Sequence, residues 1–420
     1  MQFPEGETYM LLDMTISNFR SVRDAQTISF EAVKDNRLAL SKVVEVSEKL
    51  KVIKTLAIIG PNGAGKSTFV RALEALKAIV LSESEVENPL QLLAGTSFAY
   101  SDVKGGPADI TVELVLGTDE ETGQPLVGKY TLVADREKIY EESYHLFVGR
   151  SRKLMFERKL IDGNAKELKY SYRWGKMFRG EKKRLVGKVP HCHTYLAAAA
   201  RKESSTLLPL YTWFSEELMI LPFGLSATSE KQVVEQLRKH PGWKKQLIDF
   251  LWSIDITDIR DIRLQDDRLI FVHTNVTQHY ASYFSNESLS LRRLTSIAIA
   301  MFESFTNRRL LVVDDFGMLL HPYALEHVVN VFEASNNTFG SQMMAVDCNP
   351  SLLKDGVLRR DAIWFAQKNS ESATEYFSLA DFKYSKAKKD LTGQLYLNGS
   401  FGALPITSEY IFIDSEEKEQ

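Results

Sequence analysis

At 420 residues the chain is longer than the roughly 100–200 residues of a usual domain, so more than one structural unit is expected. Its 44% apolar and 25% charged residues exclude a largely disordered protein. A net charge of −3, from 52 Lys and Arg against 55 Asp and Glu, excludes global attraction to nucleic acid, so any such surface must be local. Two cysteines, Cys192 and Cys348, leave no disulfide framework and no CxxC metal site. His191-Cys192-His193 lacks the second ligand cluster that a zinc site needs. No apolar run reaches the roughly 18–20 residues of a membrane span, and Ser205 to Leu221, the best stretch, carries Glu216 and Glu217. Met1 to Tyr9 has neither the basic nor the apolar part of a secretory signal. A cytoplasmic protein with no membrane contact is the expectation.

In chain order, alternation from Met10 to Ser21 and a second run at Thr27 to Phe30 predict a hairpin. Thr55 to Ile59 is a short apolar strand that stops at Gly60, and a helical pattern from Ser67 to Leu81 follows Gly65. From Ala108 to Tyr172 the period falls to two, with turns at Thr122-Gly123 and Asp162-Gly163, which predicts an antiparallel meander. From His193 to Trp252 the apolar spacing is helical. Strands are expected again at Leu269 to His273, Leu310 to Val313, Gln342 to Val346 and Ile363 to Ala366. Helices fit Leu291 to Phe305 and Tyr323 to Ala334, with Pro322 in a first-turn position. Ser415 to Gln420 reads as a frayed acidic end.

Gly60-Pro61-Asn62-Gly63-Ala64-Gly65-Lys66-Ser67 matches GxxxxGK[ST] without a mismatch, between a strand and a helix that continues with Thr68. Glycines let backbone N–H groups curl around phosphates, Lys66 reaches the β- and γ-phosphates, and the Ser67 hydroxyl ligates magnesium. The magnesium shell needs a carboxylate at the end of a buried strand. Leu310-Leu-Val-Val-Asp314-Asp315 supplies it, with Asp314 on the metal side and Asp315 as the general base or water-orienting group. A cap on the following turn is the alternative for either aspartate. About 240 residues separate the two motifs, more than a connection requires, so the strands and helices between them are expected to be inserted structure.

These motifs, with Ile16-Ser-Asn18-Phe19-Arg20-Ser21, Glu287-Ser288-Leu-Ser290, Leu310 to Pro322, Leu358 to Phe365 and Tyr396 to Ala403, come in an order that resembles the heads of the RecF, SMC and OLD-type branch of the ABC ATPases. More narrowly, the chain resembles the AAA family 15 of RloA-like and phage-defence-associated ATPases. The resemblance implies an α/β fold, an ABC-type P-loop ATPase head with a mixed sheet that carries the inserted β-meander and helical section. It implies an N-terminal lobe at 10–100, an insertion at 101–260, a C-terminal lobe at 261–408 and a tail at 409–420. ATP with magnesium would be sandwiched between the phosphate loop of one copy and the signature, Ser288 and Ser290, of another, which makes a homodimer or a larger homo-oligomer. Arg20 would lie near the nucleotide, with an ordinary exposed arginine as the alternative. Such proteins work as switches in defence against phage beside a separately encoded effector, often a TOPRIM-type nuclease. A RecF-like ATPase that clamps DNA and a nucleotide-bound scaffold without turnover are the competing readings.

Three positions depart from the family pattern. Asp315 stands where glutamate is usual, Ser290 stands where glycine is usual, and Ala345-Val-Asp347-Cys348-Asn349-Pro350 lacks the expected switch histidine. Slow hydrolysis follows as an expectation, because a displacement of about 1 Å can cost on the order of 10²-fold in rate. Arg150 to Lys188 carries fourteen Lys or Arg against four Asp or Glu, interleaved with Tyr170, Tyr172, Trp174 and Phe178. Cations and rings in that mix suit a nucleic-acid groove, and a solvated ribbon is the alternative.

Overall fold

The computed structural model describes residues 9–34, 39–83, 85–100, 105–119, 121–162, 168–180, 182, 184–201, 206–221, 227–334, 337, 340–383 and 391–406. The expected acidic tail, 409–420, lies outside the described residues, as do Lys166 and Lys183 of the basic stretch.

The chain opens with β1 (Met10–Ser17) and β2 (Gln26–Ser29), then runs through α1 (Ala39–Lys42), β3 (Val43–Glu45) and β4 (Lys51–Ile53) to β5 (Thr55–Ile59) and α2 (Thr68–Leu81). The meander follows as β6 (Ala108–Thr118), β7 (Pro125–Ala134), β8 (Ile139–Val148), β9 (Ser151–Asp162) and β10 (Lys169–Trp174). Next come α3 (Tyr195–Ala200), α4 (Leu208–Thr212), β11 (Leu218–Leu221), α5 (Ala227–Lys239) and α6 (Trp243–Ser253). The chain continues with β12 (Ile259–Gln265), β13 (Arg268–Thr274), β14 (His279–Tyr283) and α7 (Leu289–Asn307). It closes with β15 (Leu310–Val313), α8 (Pro322–Glu333), β16 (Gln342–Asp347), β17 (Ile363–Lys368), β18 (Thr374–Ser378) and α9 (Thr392–Leu397).

Strands β12, β13 and β14 form a small sheet and β3 and β4 pair with each other, while the other thirteen form two large sheets. One is antiparallel, in the order β10-β9-β8-β7-β6-β1-β2. Its period-two sequences bury alternate residues, most regularly in β7. The other runs β11-β15-β16-β5-β17-β18 and is parallel except for β18. Every residue of β5, β15 and β16 is buried, as a parallel sheet covered on both faces requires. Helix α7 packs on β15 and β11, and α8 packs on β5. The fold is mixed α/β.

Strand β1 pairs with β2 on one side and β6 on the other, so the meander that follows residue 100 shares a sheet with the opening hairpin. Within the segment expected to be helical, β11 pairs in parallel with β15 and becomes the edge of the second sheet. Four apolar residues, Leu218-Met-Ile-Leu, are too few for periodicity to separate a strand from a helix turn. Pro322 stands at the start of α8, where His321 caps the helix by accepting from the Tyr323 N–H at 3.2 Å.

Candidate functional site

The end of β5 meets the start of α2 in a loop that only glycine permits at two positions. A Cβ on Gly60 would lie 2.3 Å from the Ala366 carbonyl oxygen of β17. Gly65 has φ +96°, and a Cβ there would lie 2.2 Å from Thr374 Oγ1. The buried Lys66 folds back so that Nζ donates to the Pro61 carbonyl at 2.9 Å. Ser67 stands at the N-cap of α2 yet makes no capping bond; its hydroxyl donates instead to Asp314 Oδ1 at 2.8 Å. The helix start thus has no side-chain cap from Ser67, while the Thr68 N–H donates to the Gly65 carbonyl at 2.9 Å.

Strand β15 delivers Asp314 to Ser67, with β16 between β15 and β5. Asp314 is 3% exposed, and Arg71 Nη2 lies 3.7 Å from its Oδ2. The loop and the strand-end carboxylate, 247 positions apart, are thus in contact. Asp315 follows in the left-handed region at φ +47°. Burial, then the neighbouring Asp314 charge, raises its pKa, while Lys66, Arg293 and Arg71 pull the other way.

Sequence reasoning missed two residues beneath these carboxylates. Arg293 of α7, 1% exposed, donates through Nη2 to the Asp314 carbonyl at 2.9 Å. A signal existed in principle, since an arginine one turn into an apolar helix is out of pattern. Asp347 ends β16, where only a missing histidine was noted. Its Oδ1 accepts from the Cys348 and Asn349 N–H groups at 2.7 and 3.1 Å. Burial raises its pKa, and those backbone bonds offset part of the rise. Gly317 allows this fit, because a Cβ there would lie 2.2 Å from Asp347 Oδ2.

The expected signature residues are engaged within the chain. Ser288 caps α7 by accepting from the Leu291 N–H at 3.2 Å, and Ser290 Oγ donates to the Leu319 carbonyl at 2.7 Å. Arg20 is exposed at φ +54°, and its backbone N–H donates to Thr96. From the same Asn-Phe-Arg-Ser turn it is Ser21 that reaches the phosphate loop, with Oγ 3.1 Å from Thr68 Oγ1.

Aromatic residues of the basic stretch make packing and hydrogen-bond contacts within the chain. Phe178 is buried, Tyr170 Oη donates to the Ile139 carbonyl at 2.8 Å, and Trp174 Nε1 donates to Tyr195 Oη at 3.0 Å. Arg158 is fully buried, with its guanidinium 4.1 Å from the Tyr170 ring centre and bonded to the His193 and Pro190 carbonyls. These rings close one end of the antiparallel sheet over Arg158. Exposed cations remain, among them Arg150, Arg179 and Lys188.

Chemically, Ser67 and Asp314 form a pair of hard oxygen donors at the mouth of a glycine loop, a donor set that fits magnesium. Among the described residues no separate cluster of His, Cys, Asp and Glu is arranged to hold a metal ion. No described helix is long and apolar enough to cross a membrane.

No protein-family model matches the chain, and no curated protein matches it in sequence. Among solved structures, it is similar to the SMC head domain from Thermotoga maritima, at 14% identity and TM-score 0.42, covering 88% of this chain and 98% of that one. It is similar to an SMC head bound to the C-terminal winged-helix domain of ScpA, at 12% identity and TM-score 0.48, covering 90% and 99%. A third is the SMC head with an extended coiled coil bound to the C-terminal domain of ScpA, derived from Pyrococcus furiosus, at 11% identity and TM-score 0.43, covering 88% and 96%.

Proposed function

We propose that this chain is a magnesium-dependent ATP-binding protein that hydrolyses ATP slowly and works as a molecular switch. The observation that carries the reading is the 2.8 Å bond from Ser67 to Asp314 across the mouth of an intact GxxxxGK[ST] loop. Loop amides and Lys66 would hold the phosphates, and Ser67 and Asp314 would hold magnesium, which when bound neutralises charge on the transferring phosphoryl group. Asp315 would accept a proton from the attacking water. Its side chain is one methylene shorter than glutamate, which supports slow turnover.

At the finer level, the order of motifs supports a switch in prokaryotic defence against phage, acting on a separate effector such as a TOPRIM-type nuclease. ATP would join two copies through Ser288 and Ser290, whose present bonds to Leu291 and Leu319 would have to be exchanged for nucleotide contacts. Titration with ATP tests the core of the proposal. Wild type should bind ATP more tightly with magnesium than without, Lys66→Ala should lose at least about tenfold in affinity, and Asp314→Asn should lose the magnesium dependence. Equal affinities in all three proteins would remove the site from the account.

A further inference from the structure

Behind the phosphate loop, β18 carries two hydroxyl groups that grip consecutive peptides. Thr374 Oγ1 donates to the Ala64 carbonyl at 2.8 Å, and Tyr376 Oη donates to the Gly65 carbonyl at 2.6 Å. Residues two apart on a strand project from the same face, so one face of β18 meets two successive loop carbonyls. In a planar trans peptide the N–H points opposite the C=O. The Ala64 carbonyl shares its peptide with the Gly65 N–H, and the Gly65 carbonyl shares its peptide with the Lys66 N–H. Drawing both carbonyls towards β18 therefore turns the Gly65 and Lys66 N–H groups away from it.

The gripping face is itself held in place. The Thr374 N–H donates to the Ser21 carbonyl at 2.7 Å, and the Tyr376 N–H donates to Gln26 Oε1 at 2.9 Å, so the β1–β2 hairpin anchors both residues. Thr374 Oγ1 also lies 2.8 Å from Ser21 Oγ. The Tyr376 ring, 8% exposed, meets Phe69 of α2 edge-on at 4.8 Å between ring centres. Gly65 leaves no space for a side chain between the loop and Thr374, so the contact depends on glycine there.

We propose that Thr374 and Tyr376 are positioning residues that hold the Gly65 and Lys66 amide groups aimed at the phosphates of a bound nucleotide, an inference that rests on the ATP-binding reading above. The two contacts differ in weight. The Gly65 carbonyl also accepts from the Thr68 N–H at 2.9 Å, so it keeps a bond when Tyr376 loses its hydroxyl. Thr374 is therefore the more sensitive position.

The test measures affinity of the full chain for Mg·ATP and for AMP, which lacks the β- and γ-phosphates, alongside the melting temperature without nucleotide. Thr374→Val should weaken Mg·ATP binding by about tenfold and Tyr376→Phe by about threefold, with AMP affinity within about twofold of wild type. Thr374→Ser, which keeps the hydroxyl, should bind Mg·ATP like wild type. Unchanged Mg·ATP affinity in both hydroxyl-free variants overturns the inference and leaves the ATP-binding reading standing. Equal losses for Mg·ATP and AMP also overturn it, because they would mark general destabilisation. If Thr374→Val does not fold, Tyr376→Phe decides by the same criteria. A folded wild type that binds no Mg·ATP overturns the ATP-binding reading, and this inference with it.

Discussion

A methyl group added at Gly60 would meet the Ala366 carbonyl oxygen at 2.3 Å, and the atom it meets belongs to the backbone of a buried strand that cannot swing aside. Gly60→Ala should therefore destabilise the protein by about 2 kcal/mol, the usual scale of overpacking, and weaken nucleotide binding as β5 and β17 separate. Urea unfolding checks the first effect, and an unchanged midpoint would mean that β17 relaxes at little cost. The phosphate loop was legible because its whole signal is eight adjacent residues. Asp314 was legible because a run of four apolar residues ends on it. Arg293 and Asp347 were not, since their roles come from contacts with Asp314 and with the Cys348 and Asn349 amides, which no local pattern announces.

Helix α7 shows how one element ties the carboxylates to the sheet beyond them. Its cap, Ser288, follows Glu287, and Glu287 Oε1 lies 3.0 Å from Nε2 of His273 on β13. The other ring nitrogen of His273 lies 2.7 Å from Asp258 Oδ2. Burial lowers the histidine pKa, but hydrogen bonds and charge from Asp258 and Glu287 outweigh it, and the net shift is upward. A raised histidine pKa gives stability that is complete below the ordinary value of about 6.5 and lost as pH rises through the folded value. Wild type should lose stability over that window, and His273→Gln should lose most of this slope. Denaturant midpoints from pH 6 upward measure it, and identical slopes would show that the two carboxylates hold the helix start without the imidazolium. Elements with long periodic patterns, such as the meander and α7, could be read from sequence. Strand β18, Thr-Glu-Tyr-Phe-Ser, could not, because five residues of mixed polarity carry no decisive period and its contact with the phosphate loop spans more than 300 positions.

At the scale of the molecule, the two sheets are joined near the start of β1. The Gln342 side chain of β16 accepts from the Leu11 N–H at 2.7 Å and donates to the Leu11 carbonyl at 2.9 Å, where the β1 register shifts. Beside it, the Tyr9 N–H donates to Glu217 Oε2 at 3.3 Å, just ahead of β11. Burial pushes the Glu217 pKa up to about 7, so the folded protein holds a proton there that the unfolded chain releases near 4.5. Stability from this group is present at low pH and falls as pH rises from about 4.5 to about 7. Glu217→Gln should flatten that decline, and an unaltered profile would place the pH dependence elsewhere. Strand pairing is what sequence left open at this scale: periodicity defined β1 and β6 separately, and only the fold makes them neighbours.

A single site that binds ATP, turns it over slowly and joins copies of the chain is tested by ATP turnover and oligomeric mass measured together for wild type, Lys66→Ala and Asp315→Glu. Slow turnover with ATP-dependent assembly is expected in wild type, neither in Lys66→Ala, and faster turnover in Asp315→Glu. Absence of turnover in all three, with ATP still driving assembly of wild type, would contradict hydrolysis and leave a nucleotide-dependent scaffold.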